Sequence, residues 1–379
     1  MATQSPTIIA ETQAAPTCAM PLSEGEGGGP TSTGLGNSKL GKGKGSKKPW
    51  HKETIVVAGL PVNVFSDPGS GGRAEVDANA SAGVVVMFLL HGRTGSARRM
   101  ETYVTDIFAE IRARRGADAG AQLQAQELLI VTIDQRNHGK RMVDERANMG
   151  WSTDPDKNNE RHAIDMYAIQ SERCLASISR PGRWLQLTCP WFIAVAAGTA
   201  QDVSFLIDFL PSYLFPRGER TISQWVCAGK SLGGHSTWIV LRNGLMDETD
   251  PRVNIGIPII GCPDYLTLIS KRAKAHKLPF GPPHIPDTLV QVVKRADPVT
   301  APYTAADESN PFLGKKILVL SGREDKTVPW SAAKDFVEGL NVGEQGVKEV
   351  MVEPGTGHDF SPAMVKEAAR FVWEHALVA

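Results

Sequence analysis

The sequence predicts an α/β fold, a mostly parallel central sheet with helices on both faces, and three observations lead there. Beyond Trp50, short β-rich apolar runs alternate with longer stretches of helical spacing, the pattern of parallel strands joined by helices. The run Val84-Val85-Val86-Met87-Phe88-Leu89-Leu90 is apolar throughout, as a strand buried on both faces requires. Trp225-Val226-Cys227-Ala228 runs straight into Gly229-Lys230-Ser231-Leu232-Gly233 and then into a helix-like stretch, so the glycines mark a sharp strand-to-helix turn. A chain of 379 residues can make two domains, but α/β sheets often exceed 250 residues around one core, so one large domain is expected over 51–379.

Each element follows in order. Residues 1–50 are rich in Gly, Ser, Thr, Pro and Ala and cannot bury enough surface to offset their ordering entropy, so this tail is expected to be disordered. Glu53 to Phe65 begins the sheet, and Asp67 to Ala82, full of Gly, Ser, Asp and Asn, is a loop before the Val84 to Leu90 strand. Ala97 to Arg114 carries a helical stripe. Glu127 to Ile133 is another strand, and Trp151 to Tyr167 is a polar stretch whose Asp156, His162 and Asp165 either line a substrate entrance or, as is expected, cap and solvate a helix. Val203, Leu206, Ile207, Phe209 and Leu210 give Gly198 to Leu214 one apolar helical face. Thr221 to Ala228 feeds the glycine turn, Asn254 to Ile260 is a further strand, and Ile317 to Leu320 with Lys348 to Val352 completes the sheet. The proline-rich interval within 262–315 is expected to form a lid-like rim, with Tyr265, Leu266, Leu268, Phe280 and Tyr303 either lining a pocket or packing the rim's own core. Ser361 to Val378 is the closing helix.

A serine in such a turn needs a positive φ, and the positions two before and two after it must lack bulk, which Gly229 and Gly233 provide. A glycine-rich loop that merely opens a helix would look the same locally. Two further segments set it apart: Ser321-Gly322-Arg323-Glu324-Asp325-Lys326-Thr327-Val328-Pro329 and Gly355-Thr356-Gly357-His358-Asp359-Phe360, each after a predicted strand. The chain order Ser231, Asp325, His358 resembles that of the α/β-hydrolase superfamily, in its esterase and peptidase-like branch, and differs from the chymotrypsin-like and subtilisin-like orders. The resemblance runs from about Lys52 to the end and implies an α/β-hydrolase fold with a partial lid. It also implies that Ser231, Asp325 and His358 are nucleophile, acid and base of a serine hydrolase.

His91-Gly92-Arg93-Thr94-Gly95, at the end of the apolar run, looks like the family's oxyanion loop. Acyl transfer puts negative charge on the former carbonyl oxygen, and fixed backbone N–H groups must hold it. The resemblance assigns those donors to Leu232 and Arg93. The Arg93 side chain is expected to face solvent, with an anionic substrate group as the other possibility, and Arg98 and Arg99 to lie on an exposed helix face. Asp134 to Gly139 braces the loop behind the site in such proteins, so Asp134 and His138 are read as structural.

Other residues compete for these roles. Glu324 is a substitute acid one position from Asp325, and the Gly-x-x-Asp-x-x-Val-Pro form of the motif favours Asp325. Asp359 is expected to cap a turn and His235 to pack along its helix. Gly36 to Lys42 mimics a phosphate loop, but Gly43 stands where Ser or Thr would coordinate magnesium; for Gly229-Lys230-Ser231 the required earlier glycine is Gln224. Neither is a nucleotide site, and no cofactor or metal is expected.

Ser171 to Ala197 fits badly. In the proteins this chain resembles, a segment like Asp165-Met166-Tyr167 passes almost directly to one like Gly198-Thr199-Ala200, so 171–197 looks inserted, either as translated intron or as a lid whose Trp184, Trp191 and Phe192 form an apolar wall. With 41 basic and 41 acidic side chains, no general electrostatic pull toward nucleic acid or membrane exists. Five scattered cysteines lack the spacing of a disulfide framework or zinc site, and neither a signal peptide nor a membrane span is apparent. The expectation is a cytoplasmic carboxylesterase acting on small or medium acyl esters. A peptidase or thioesterase using the same residues, or a non-catalytic binding module on this fold, remains the alternative.

Overall fold

The computed structural model describes residues 49–68, 83–117, 125–170, 198–242 and 253–378, and Lys48–Ala379 forms one compact unit. The 171–197 segment, most of the N-terminal tail, and Cys18, Cys174 and Cys189 lie outside the described residues.

Among the described residues the sheet has eight strands: β1 (His51–Val57), β2 (Leu60–Ser66), β3 (Val84–Leu90), β4 (Glu127–Ile133), β5 (Ile222–Lys230), β6 (Val253–Ile259), β7 (Lys316–Gly322) and β8 (Val347–Glu353). Their spatial order is β1-β2-β4-β3-β5-β6-β7-β8. β2 pairs antiparallel with both β1 and β4, and every other pairing is parallel. The stretch expected as one opening strand is therefore a hairpin. It turns at Ala58 and Gly59, whose φ values of 44° and 87° match the two-residue turn that suits strand twist.

The helices are α1 (Glu101–Ala117), α2 (His162–Gln170), α3 (Thr199–Leu214), α4 (Leu232–Arg242), α5 (Tyr265–Ala275), α6 (Asp287–Ala296), α7 (Lys334–Gly339) and α8 (Pro362–Val372). β3 explains why both sheet faces must be covered. Val84, Val86, Phe88 and Leu90 enter a core with α3, α4 and α7, while Val85, Met87 and Leu89 enter one with α1 and α8. Successive side chains leave a strand on opposite sides, so an uninterrupted apolar run needs a helical layer on each. α3 presents Val203, Leu206, Ile207, Leu210 and Leu214 to the first core, and α1 presents Val104, Ile107, Phe108 and Ile111 to the second, both at helical spacing.

A third cluster joins α2, α5 and α6 to residues that follow the carboxyl ends of strands, including Leu232, Cys262 and Val328. Tyr265 and Leu268 are fully buried in it, Tyr303 packs against Phe336 with ring centroids 4.4 Å apart and planes tilted by 36°, and Phe280 is exposed. Of the residues expected to line a pocket or pack a rim, most are thus core.

Local chemistry shifts several helix boundaries. A short 3-10 turn, Ala97–Met100, precedes α1, and the polar stretch after Trp151 becomes helical only at His162. The closing helix starts where the Ser361 side chain accepts from the Met364 amide at 3.1 Å, and its last turn loosens into a π-helical segment, Trp373–Leu377.

Candidate active site

Ser231 sits between β5 and α4 with φ at 55°, a left-handed conformation that a non-glycine residue adopts only when its surroundings impose it. A Cβ on Gly229 would stand 2.3 Å from the Gly233 carbonyl oxygen, and one on Gly233 would stand 2.5 Å from that of Leu90. Both obstacles are backbone, so neither can move aside. The turn is fixed further by the Ser231 amide donating to the Ile259 carbonyl at 2.8 Å and the Gly233 amide donating to that of His91 at 3.1 Å. β6 and the β3 loop thus hold the serine from either side.

The turn, the loop after β7 and the loop after β8 meet at one point. Ser231 Oγ lies 2.9 Å from His358 Nε2, and His358 Nδ1 lies 2.7 Å from Asp325 Oδ2. Asp325 is buried, and its other oxygen accepts from the amides of Thr327 at 2.8 Å and Val328 at 2.9 Å. Its carboxylate is therefore fixed in rotation, with Oδ2 left to accept a hydrogen bond from Nδ1–H. That assigns the tautomer: Nδ1 carries hydrogen, and Nε2 accepts from the serine hydroxyl. The acid and histidine loops are also stitched together, Arg323 N donating to Glu353 O and Glu324 N to Thr356 O, both at 3.0 Å. Glu324 faces solvent.

Leu232 is the first residue of α4, so its amide has no acceptor within the helix. The β3 loop lies against the serine, since a Cβ on Gly92 would stand 3.3 Å from Ser231 Cβ. Arg93 follows on the same loop. This loop is clamped from β4: the Gln135 amide donates to His91 Nε2 at 3.0 Å, and the Gln135 side-chain amide donates to the His91 carbonyl. The Asp134 carboxylate accepts from the amides of Ala97 at 2.7 Å and Lys140 at 2.9 Å, and His138 Nδ1 meets the Arg136 carbonyl. Both residues act on backbone rather than on each other. Burial pulls the His91 pKa down to about 4.

One expectation needs correction. The Arg93 guanidinium turns inward, half-buried, and donates to the Asn148 carbonyl at 3.1 Å, whereas Arg98 and Arg99 do face solvent. Asp359 accepts from the Phe360 amide at 2.8 Å but also pairs with Lys230, a partner that no motif signalled. His235 packs inside the protein beyond the end of β6, where the Cys262 amide donates to its Nδ1 at 2.8 Å; burial drops its pKa to about 3. Cys227 and Cys262 are free and buried, and burial pushes the Cys227 thiol up to about 12, so neither behaves as a reactive thiolate.

Two cavities matter for placing a substrate. One of about 420 Å³ lies beside the β1 and β2 edge against Val64, Leu129 and Leu214, and includes none of the residues around Ser231. The other, about 250 Å³, is lined by Arg93 from the β3 loop and by Lys326 and Thr327 from the loop after Asp325. Among the described residues no group of three His, Cys, Asp or Glu side chains could hold a metal, and no helix is long and apolar enough to cross a membrane.

No protein-family model matches the sequence, and no curated protein sequence does. Among solved structures the protein is similar to TT1662 from Thermus thermophilus, at 16% identity and a TM-score of 0.49 over 86% of this chain and 99% of that one. It is similar to the Pyrococcus furiosus esterase Pf2001 at 15% identity and a TM-score of 0.42, over 85% of this chain and 91% of that one. Est1E from Butyrivibrio proteoclasticus gives 15% identity and a TM-score of 0.42, over 85% and 98% of the two chains. The strand order with β2 alone reversed, the tight turn after β5 and the loops after β7 and β8 converging on it give this chain the α/β-hydrolase fold.

Proposed function

We propose that the protein is a serine hydrolase, a carboxylesterase that cleaves small or medium acyl esters through an acyl-enzyme on Ser231. One observation carries the reading: the hydrogen-bonded row from Ser231 Oγ through His358 to the buried Asp325, at 2.9 and 2.7 Å.

In the first half-reaction Ser231 Oγ attacks the carbonyl carbon while its proton passes to His358 Nε2. The carbonyl oxygen becomes an oxyanion that accepts from the amides of Leu232 and Arg93. Collapse expels the alkoxide, which takes the proton from Nε2 and leaves as alcohol. Water then attacks the acyl-enzyme, giving its proton to Nε2; the second oxyanion collapses, Oγ recovers that proton, and the carboxylic acid departs. Asp325 keeps Nδ1–H directed and offsets the imidazolium charge throughout. The reaction uses protein groups and water, with no cofactor. Thioester and amide substrates would follow the same steps, so the leaving group is what competition between ester, thioester and dipeptide substrates identifies.

Ser231→Ala is expected to abolish labelling by a fluorophosphonate probe and to lower turnover of p-nitrophenyl butyrate by a factor on the order of 10⁶. Labelling or hydrolysis that persists in that variant sinks the assignment, and a folded wild-type protein that binds substrate but never reacts favours a binding module instead.

A further inference from the structure

The cavity of about 250 Å³ beside the site has a one-sided charge pattern: Arg93, Arg272 and Lys326 line it, with His162 and His276 beside them, and among the described residues no carboxylate does. Among the described residues neither arginine makes an ion pair. Arg272 is held by neutral acceptors alone, donating to Met166 Sδ at 3.0 Å and to the Thr327 carbonyl at 3.0 Å, with His162 Nε2 at 3.4 Å. Among the described residues the Arg93 side chain hydrogen-bonds only the Asn148 carbonyl. Asp325 is near enough for its field to reach Arg272, but its oxygens are already occupied by His358 and two backbone amides.

His162 reads the same field. Its Nδ1 contacts the Met149 carbonyl at 2.9 Å, which requires hydrogen there and leaves Nε2 to accept from Arg272. Burial first, and then Arg93 and Arg272, pull its pKa down to about 3. Burial also lowers Arg272 and, with the field of Arg272 added, Arg93. Guanidinium groups stay protonated in proteins. Two half-buried cations that share a cavity with no carboxylate in direct contact cost free energy in the empty protein, and an anion placed between them offsets that cost.

The position of the cavity says what such an anion belongs to. One wall is Arg93, whose neighbour Gly92 abuts Ser231, and another is Lys326 and Thr327, directly after Asp325. Trp151 gives an apolar side. We propose that this cavity is an anion subsite, and that the substrate is an ester whose acyl chain ends in a carboxylate a few atoms from the scissile carbonyl, as in a half-ester of a short dicarboxylic acid. Arg93 and Arg272 bind the carboxylate, His162 positions Arg272, and the short chain lies along Trp151. This rests on the serine-hydrolase reading for the reaction, though not for the binding.

Two experiments separate them. In the first, kcat/KM is measured for p-nitrophenyl hydrogen glutarate and for neutral p-nitrophenyl butyrate, corrected for spontaneous hydrolysis, in the wild type and in Arg272→Gln. The wild type is expected to prefer the glutarate ester, mainly through KM, and the substitution to cut that preference by roughly tenfold to a hundredfold, the loss expected for one charged hydrogen-bonding partner. No preference in the wild type, or a preference that Arg272→Gln leaves intact, overturns the proposal. The second experiment needs no turnover: calorimetric titration of the wild type with glutarate and with dimethyl glutarate. Glutarate alone should bind, more weakly as salt rises and in the surface variant Lys326→Gln, which serves if Arg272→Gln fails to fold. Glutarate binding in a protein that hydrolyses neither ester keeps the subsite and sinks the hydrolase reading. Butyrate hydrolysis with no glutarate binding keeps the hydrolase and sinks the subsite.

Discussion

Lys230 Nζ lies 2.8 Å from Asp359 Oδ1, joining the residue before the candidate nucleophile to the residue after the candidate base. The same ammonium lies 3.1 Å from the Tyr103 hydroxyl on α1, so three elements are tied behind the site. Burial works against the Lys230 charge, but the hydrogen bonds to Asp359 and Tyr103 outweigh it and raise its pKa; the Lys230 contact in turn lowers that of Asp359. Asp359 is largely exposed, which limits what the pair contributes. Lys230→Met is therefore expected to lower kcat by about fivefold or less with KM little changed, measured on p-nitrophenyl butyrate. A loss beyond a hundredfold would mean that Lys230 touches the substrate.

The clamp on the oxyanion loop predicts a different signature. Gln135 is buried and holds His91 through both its backbone and its side chain, while Thr199 Oγ1 donates to Gln135 Oε1 at 3.2 Å. Gln135→Leu keeps the volume but strips the side-chain contacts, leaving polar groups short of partners at a cost of about 1 to 3 kcal/mol in urea unfolding. Because the loop carries a proposed oxyanion donor, kcat should fall by roughly tenfold as well. A variant as stable and as fast as the wild type would show that other contacts hold the loop.

At the turn, Gly229→Ala and Gly233→Ala put a methyl group against backbone that cannot yield. Each should cost about 1 to 3 kcal/mol or more and abolish fluorophosphonate labelling of Ser231. Normal labelling in either would show that the turn has another conformation available.

Three histidines make the fold acid-sensitive. His91, His162 and His235 are buried, with pKa values lowered to about 4, 3 and 3. In the unfolded chain each titrates near 6.5, so below that pH the unfolded state binds protons that the native state refuses. Stability is therefore complete above pH 6.5 and declines as pH falls toward 4, by about 2 kcal/mol per histidine at pH 5. The urea midpoint should drop steeply between pH 7 and pH 5; a flat profile over that range contradicts the burial of these rings as neutral groups.

In the core, Trp238 is fully buried, edge-on to Phe336 at 5.3 Å and to Phe312 at 6.5 Å. Trp238→Ala should cost about 3 to 5 kcal/mol in urea unfolding, whereas Trp238→Phe should cost markedly less. The indole Nε1 has no hydrogen-bond partner among the described residues, so Trp238→Phe loses only packing, and equal losses for both would contradict that account.

Periodicity and turn chemistry, both local, carried the sequence reading. The apolar run of β3, the helical stripes of α1 and α3 and the glycines around Ser231 each express a constraint that acts within a few residues, and the sequence alone determined the alternation of strands and helices from β3 onward, the need for two helical layers and the turn. The hairpin at Ala58 and Gly59 was missed because its two strands read as one run, and the late start of α2 because polar residues in a loop resemble those on a helix surface. The 2.7 and 2.9 Å contacts among Asp325, His358 and Ser231, the inward turn of Arg93, the Lys230 to Asp359 pair and the gathering of Arg93 and Arg272 at one cavity were decided only by tertiary structure. Such contacts join residues tens to more than a hundred positions apart, and their geometry exists only once the parallel sheet has brought the carboxyl ends of its strands together.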